Sequence, residues 1–251
     1  MSSLEPSPDL PSGVEGLPSD QRTVVRRLVD EATHRLLGHT IAVEDADWHR
    51  PSRLPGWTRA HVATHLARQA DGLLRLIEGA QAGERRQMYA SPEQREWQIE
   101  SGAGRNGLEL QIDLDTSAGR LANAFHELDG TNGWDAVVEL REGLEAPARL
   151  LPMARLTEVL LHHVDLDIGF EVDDIDEHSA HWLLEWSTFR LRRRDDFPPL
   201  RLASSSGFET TIGGGSPVTV QGRSAQLLGW LTGRADASGL DGADDVTLPP
   251  F

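Results

Sequence analysis

Seven residues, Thr157-Glu158-Val159-Leu160-Leu161-His162-His163, carry the strongest chemical signal in the chain. The stretch reads as helix, so Glu158 and His162, at i and i+4, lie one turn apart on one face. A carboxylate and an imidazole so placed can hold one divalent metal ion. Around the helix axis Asp165 lies about 20° from Glu158 and about 60° from His162, and Arg155 lies about 60° from Glu158 on the same side. His163 points about 100° away from His162 and reads as structural. A solvated helix face explains the same polar stripe, so the stripe alone does not define a site.

Far upstream, Ala63-Thr64-His65-Leu66-Ala67 offers a further histidine. Three nitrogen and oxygen ligands from two helices make an open, catalytic type of zinc site, with one position left for a reactant. His61 and His65 are themselves i and i+4, so either is a candidate ligand, and a rival site uses both. Spacing does not choose between them, and a histidine on a helix surface or in a core fits each position too. Two nitrogens and one oxygen suit several divalent metals besides zinc. The chain has no cysteine. Thiol chemistry here needs a thiol from outside, and Cys-type zinc sites and disulfides are excluded.

The elements that must position these residues come from an ordinary globular composition. The chain has 251 residues, 38% hydrophobic and 25% charged, enough for one large domain or two modest ones. The net charge of −16 argues against nucleic acid, because phosphate contacts need clustered Lys and Arg. A few local arginines can still bind a small anion. No apolar run approaches the ~20 residues of a membrane span, so no membrane is expected. Residues 1–19 are rich in Pro, Ser, Gly and acid, which predicts a disordered lead-in and not a secretory signal. A cytoplasmic location is the expectation.

Helical periodicity begins near Ser19-Asp20, with Asp20 as a cap, and runs to about Val43. A second helix starts after Thr58 and carries Val62, Leu66, Ala70, Leu73 and Ile77 on one face, ending near Gly79 or Gly83. Ser91-Pro92 opens a shorter helix to about Glu100. Further helices cover about Gly107 to Leu128 and Met153 to Phe170, separated by a Gly130–Gly133 loop and an ambiguous stretch over 137–148. Four long amphipathic helices suggest a four-helix bundle. Beyond it, the sequence predicts a helix over Asp176–Arg194 and strands at 200–203, 208–212 and 217–221. A short helix over Ser224–Thr232 follows, making a small α+β domain of roughly 75–80 residues. Trp182 and Trp186, at i and i+4, read as core of a bundle or of a domain interface.

Several of these motifs together resemble the mycothiol-dependent maleylpyruvate isomerases of the DinB-like superfamily. The resemblance rests on Gly56-Trp57-Thr58-Arg59-Ala60-His61-Val62-Ala63-Thr64-His65 and Met88-Tyr89-Ala90-Ser91-Pro92-Glu93. It continues through Glu158-Val159-Leu160-Leu161-His162-His163-Val164-Asp165-Leu166 and Trp230-Leu231-Thr232-Gly233-Arg234. It spans nearly the whole chain after residue 20. Leu160 stands where a polar residue is common, and the second half of the α+β domain matches loosely.

The resemblance implies an α+β protein, with a DinB-like helix bundle over 20–172 followed by a small α+β domain over 173–251. It implies zinc, or another divalent metal, held by His65, Glu158 and His162, with His61 in a supporting or structural place. It implies catalytic relevance for Asp165 and Arg234; by itself Arg234 reads as a surface arginine near a helix end. The implied activity is cis-trans isomerisation of maleylpyruvate to fumarylpyruvate in gentisate degradation. Mycothiol would act there by thiolate addition, bond rotation and elimination. The implied partners are a small dicarboxylate and a low-molecular-weight thiol. A mycothiol S-transferase acting on another electrophile, or a non-enzymatic metal-binding regulator, uses the same scaffold.

Overall fold

The structure is a computed structural model and describes residues 19–250. Residues 1–18, nearly all of the segment expected to be a disordered lead-in, lie outside the described residues. The side chain of Asp20, expected as a cap, also lies outside them. By Cα proximity the chain divides into two compact units. Among the described residues, one is Thr23–Glu171 and the other is 172–250 with 19–22.

Four long helices form the bundle: α1 (Ser19–Thr40), α3 (Arg59–Ala82), α5 (Gly107–Glu127) and α6 (Leu151–Asp165). Two shorter ones, α2 (Asp45–Trp48) and α4 (Pro92–Gly102), lie between them in sequence. Local chemistry sets the ends. Thr58 caps α3 by accepting from the His61 amide, and the Thr58 amide donates back to His61 Nδ1. Gly83 closes the same helix with φ of 68°, a left-handed turn that glycine takes without steric cost. Ser91 accepts from the Gln94 amide and Pro92 fills the first turn of α4.

Helix α3 is the central element and packs on α4, α5 and α6. Its Val62, Leu66, Ala70, Leu73 and Ile77 are wholly buried, as their spacing predicts. Arg155 ties α6 to α3 from inside the core, donating to the Leu66 carbonyl at 2.8 Å and to Gln69 Oε1 at 2.7 Å. The ambiguous stretch over 137–148 contains a two-stranded antiparallel ribbon, β1 (Val137–Glu139) with β2 (Glu145–Pro147). The segment expected as a plain loop over 130–133 runs into a 3₁₀ turn at Asn132–Asp135.

Helix α6, expected to reach Phe170, stops at Asp165. Asp167 turns left-handed at φ 55° and Gly169 at φ 89°. Arg59, at the start of α3, takes the freed carbonyls: Nε donates to Leu166 O at 2.8 Å and Nη2 to Asp167 O at 2.7 Å. The guanidinium thus satisfies helix-terminal acceptors and sits where positive charge favours a helix C-terminus.

The second unit contains α7 (Glu177–Leu191), a three-stranded sheet and α8 (Ser224–Leu231). Its strands are β3 (Leu200–Ser204), β4 (Glu209–Ile212) and β5 (Val218–Gly222), in the order β4-β3-β5. β3 pairs antiparallel with β4 and parallel with β5. Trp182 and Trp186 of α7 are buried. Among the described residues, no helix is long and apolar enough to cross a membrane.

Candidate metal centre

Helices α3 and α6 pack side by side and bring His65, Glu158 and His162 together. One ligand atom from each lies within 4.8 Å of the other two. His65 Nε2 is 2.8 Å from Glu158 Oε2, and His162 Nε2 is 3.3 Å from the same oxygen. Tetrahedral ligands bound at about 2.1 Å stand roughly 3.4 Å apart, close to both of those distances. The two imidazole rings meet edge-on with centroids 4.6 Å apart. The donor set of two imidazoles and one carboxylate suits zinc or a similar divalent ion.

The electrostatics favour ligation. Burial lowers the His65 imidazole to about 4, against the opposing pull of Glu158, so the ring is neutral at pH 7 and its lone pair is available. Burial acts to raise the Glu158 carboxyl, but hydrogen bonds and charge from His162 and His65 outweigh it. The group is held well below its ordinary value. Burial acts to lower His162, yet the carboxylates of Asp165 and Glu158 win and raise it. Glu158 is an anion with histidine N–H groups converging on one oxygen, an arrangement a cation can replace.

Neighbours hold the three side chains in place. Asp165 Oδ2 lies 2.8 Å from His162 Nδ1, the nitrogen facing away from the cluster, and Asp165 is 1% exposed. Such a carboxylate–histidine contact fixes ring orientation and tautomer. The Trp57 indole packs at a tilt on His65, centroids 5.5 Å apart. The Gly-Trp-Thr-Arg turn therefore acts three ways: Trp57 walls His65, Thr58 caps its helix, and Arg59 clamps the end of the helix that carries Glu158 and His162.

His61 does not join the cluster. Its Nδ1 lies 2.7 Å from Thr58 Oγ1 and its Nε2 3.3 Å from Glu100 Oε2, so it serves the helix start. His163 is fully buried, stacked on Phe170 at 4.0 Å, with Nε2 3.0 Å from His39 Nδ1. Arg234 lies in the second unit, on the turn after α8, where Nη1 donates to the Thr232 carbonyl at 2.9 Å. Gly233, at φ 71°, makes that turn.

Two side chains at the cluster were not given a role by spacing. Arg95 of α4 places Nη2 3.1 Å from His65 Nδ1. Tyr89, the only tyrosine in the chain, has the Arg95 guanidinium 5.8 Å from its ring centre. Burial raises its hydroxyl above the usual phenol value. Its sequence signals are its rarity and its place in Met88-Tyr89-Ala90-Ser91-Pro92-Glu93, which gave it no role of its own.

The profile of the family described as "Mycothiol maleylpyruvate isomerase N-terminal domain" matches residues 29–167, the stretch that holds the three converging residues and Asp165. Two solved structures match over nearly the whole chain. One is the crystal structure of the mycothiol-dependent maleylpyruvate isomerase, 28% identical, with a TM-score of 0.82, covering 91% of this chain and 96% of that one. The other is a histidine-to-alanine mutant described by the same name, with a TM-score of 0.81 and the same identity and coverage. The expected fold, a helix bundle of DinB type followed by a small α+β domain, is the fold they share with this chain. No curated protein matches it.

Proposed function

The chain belongs to the mycothiol maleylpyruvate isomerase N-terminal domain family, and from that premise we propose that it is a metal- and mycothiol-dependent isomerase converting maleylpyruvate to fumarylpyruvate in gentisate degradation. The observation that carries the reading is the convergence of His65, Glu158 and His162 on one point, with no further metal-binding group of His, Asp or Glu among the described residues.

In this reading His65 and His162, through their Nε2 atoms, and Glu158, through a carboxylate oxygen, would hold the metal. A divalent ion held by three protein ligands supplies an open position at which a thiol ionises at neutral pH. Mycothiol supplies the nucleophilic sulfur, which this chain lacks, and its addition, bond rotation and elimination is the chemistry that turns cis into trans. Asp165 keeps His162 in the tautomer whose Nε2 faces the cluster. Trp57 and the buried face of α3 keep bulk water off His65. Arg234 is assigned to a substrate carboxylate, which a planar guanidinium meets with two donors.

The test is direct. Purified, zinc-supplemented protein is given maleylpyruvate with and without mycothiol. Fumarylpyruvate formation that requires mycothiol, with mycothiol recovered unchanged, supports the proposal. No mycothiol-dependent isomerisation overturns it. Accumulation of a stable thioether from another electrophile would move the assignment to an S-transferase.

A further inference from the structure

Beside the three converging residues sits a cation with an unusual partner. Arg95 comes off α4 and directs Nη2 at His65 Nδ1, 3.1 Å away, while its Nε is buried without a hydrogen-bond partner. The Tyr89 hydroxyl next to it is also buried and makes no hydrogen bond of good geometry. Buried polar atoms are satisfied in the large majority of cases, so two orphans on touching side chains call for a ligand. The Arg95 Nε–H can only donate and the Tyr89 hydroxyl can donate as well as accept, so an acceptor suits both.

The Arg95–His65 contact itself is conditional. A guanidinium only donates, so it needs a lone pair on Nδ1. An imidazole that gives its Nε2 lone pair to a metal carries its proton on Nδ1 and has no acceptor left there. Seating a metal on the three ligands therefore releases Arg95 from His65. A released, permanently charged guanidinium beside an orphan hydroxyl fits an anion.

Tyr89, which the Arg95 guanidinium overlies, also lines two cavities of about 550 and 520 Å³, within the range that small ligands fill; Arg95 itself and the three converging residues line neither. Arg75, Arg85 and Arg86 contribute to the first with Glu84 and Glu139, and Arg141 to the second with Glu139; Arg85 is paired with Glu145, and Arg86 with Glu78 and Glu84.

We propose that Arg95 and Tyr89 form a carboxylate-binding subsite beside the metal ligands, with Arg95 supplying the charge and Tyr89 a hydrogen bond. It rests on the proposed function only for the class of substrate, a small dicarboxylate.

The probe is succinate, which has two carboxylates and no double bond to isomerise. Its binding to the zinc-loaded protein is measured by calorimetry without any thiol, together with zinc content. Arg95→Met raises the succinate Kd by about tenfold or more, and Tyr89→Phe by about threefold to tenfold, both at one zinc per chain. Arg95→Lys keeps the charge and recovers part of the affinity. Unchanged succinate affinity in zinc-loaded Arg95→Met overturns the proposal, as does a wild-type protein that does not bind succinate. Loss of zinc from both Arg95→Met and Arg95→Lys also overturns it, by making Arg95 a prop for His65. Because no thiol is present, failure here leaves the isomerase assignment standing, and a failed isomerase assay leaves this subsite standing.

Discussion

Asp165 Oδ2 lies 2.8 Å from His162 Nδ1, and the carboxylate is all but sealed from solvent. The contact spans less than one turn of α6, so a single helix provides a proposed metal ligand and the group that orients it. Buried beside His162, the acid also explains why that imidazole holds its proton more tightly than usual before a cation displaces it.

Replacing Asp165 with Asn keeps the shape and removes the charge. The amide can donate to His162 Nδ1 as well as accept from it, so the tautomer is no longer fixed, and zinc affinity falls by roughly tenfold to a hundredfold. Competition against a chromogenic chelator measures it. Equal affinity in Asp165→Asn would mean that the helix backbone alone orients His162.

Single replacements His65→Ala, Glu158→Ala and His162→Ala each lose bound metal while keeping the helical circular dichroism of the parent. The bundle core does not depend on them, because Leu66, Leu156 and Val159 around them are wholly buried. Full metal stoichiometry in His65→Ala would place the ligand elsewhere.

His163 makes the protein labile to acid. Burial, then the nearby charges of His39 and Arg35, push its imidazole down to about 3. The unfolded chain binds a proton near pH 6.5 that the folded chain refuses until about pH 3. Stability therefore rises with pH across that window and is lost as pH falls below about 6.5, by roughly 2 kcal/mol at pH 5 from this residue. Urea unfolding of chelator-treated protein at pH 7 and pH 5 measures the loss. His65, lowered to about 4, acts in the same direction, so the comparison that isolates His163 is with His163→Phe. Identical pH dependence in the two proteins would refute the assignment.

Gly102, the last residue of α4, is fixed by close approach. A Cβ there would stand 2.5 Å from Thr64 Cγ2, next in sequence to His65. Gly102→Ala forces α4 off α3 and costs about 1–3 kcal/mol. Thermal unfolding shows it as a lowered Tm, and an unchanged Tm would show that Thr64 moves aside freely.

Much of this arrangement was legible from spacing. The helix starts at Thr58 and Ser91 follow from side chains that cap and a proline that suits the first turn, and both stand where expected. Glu158 and His162 share a face by period alone. What period cannot show is which side of that face meets a partner. The stripe of Arg155, Glu158, His162 and Asp165 resembles a solvated face, yet Arg155 and Asp165 are buried against α3 and its flanking turn. The end of α6 was misplaced because its cause is Arg59, distant in sequence, and a left-handed Asp167. Arg95 was missed for the same reason: on its own helix it is one more polar residue, and only the packing of α4 on α3 puts it beside His65.

The central claim is that His65, Glu158 and His162 hold one metal ion on which mycothiol-dependent isomerisation depends. It is tested most directly by titrating zinc into chelator-treated protein and following the rate of maleylpyruvate isomerisation in the presence of mycothiol. The account predicts a rate that rises linearly and breaks at one zinc per chain, and no rate at any zinc level in His65→Ala. Full activity in the metal-free protein, or undiminished activity in His65→Ala, would contradict it.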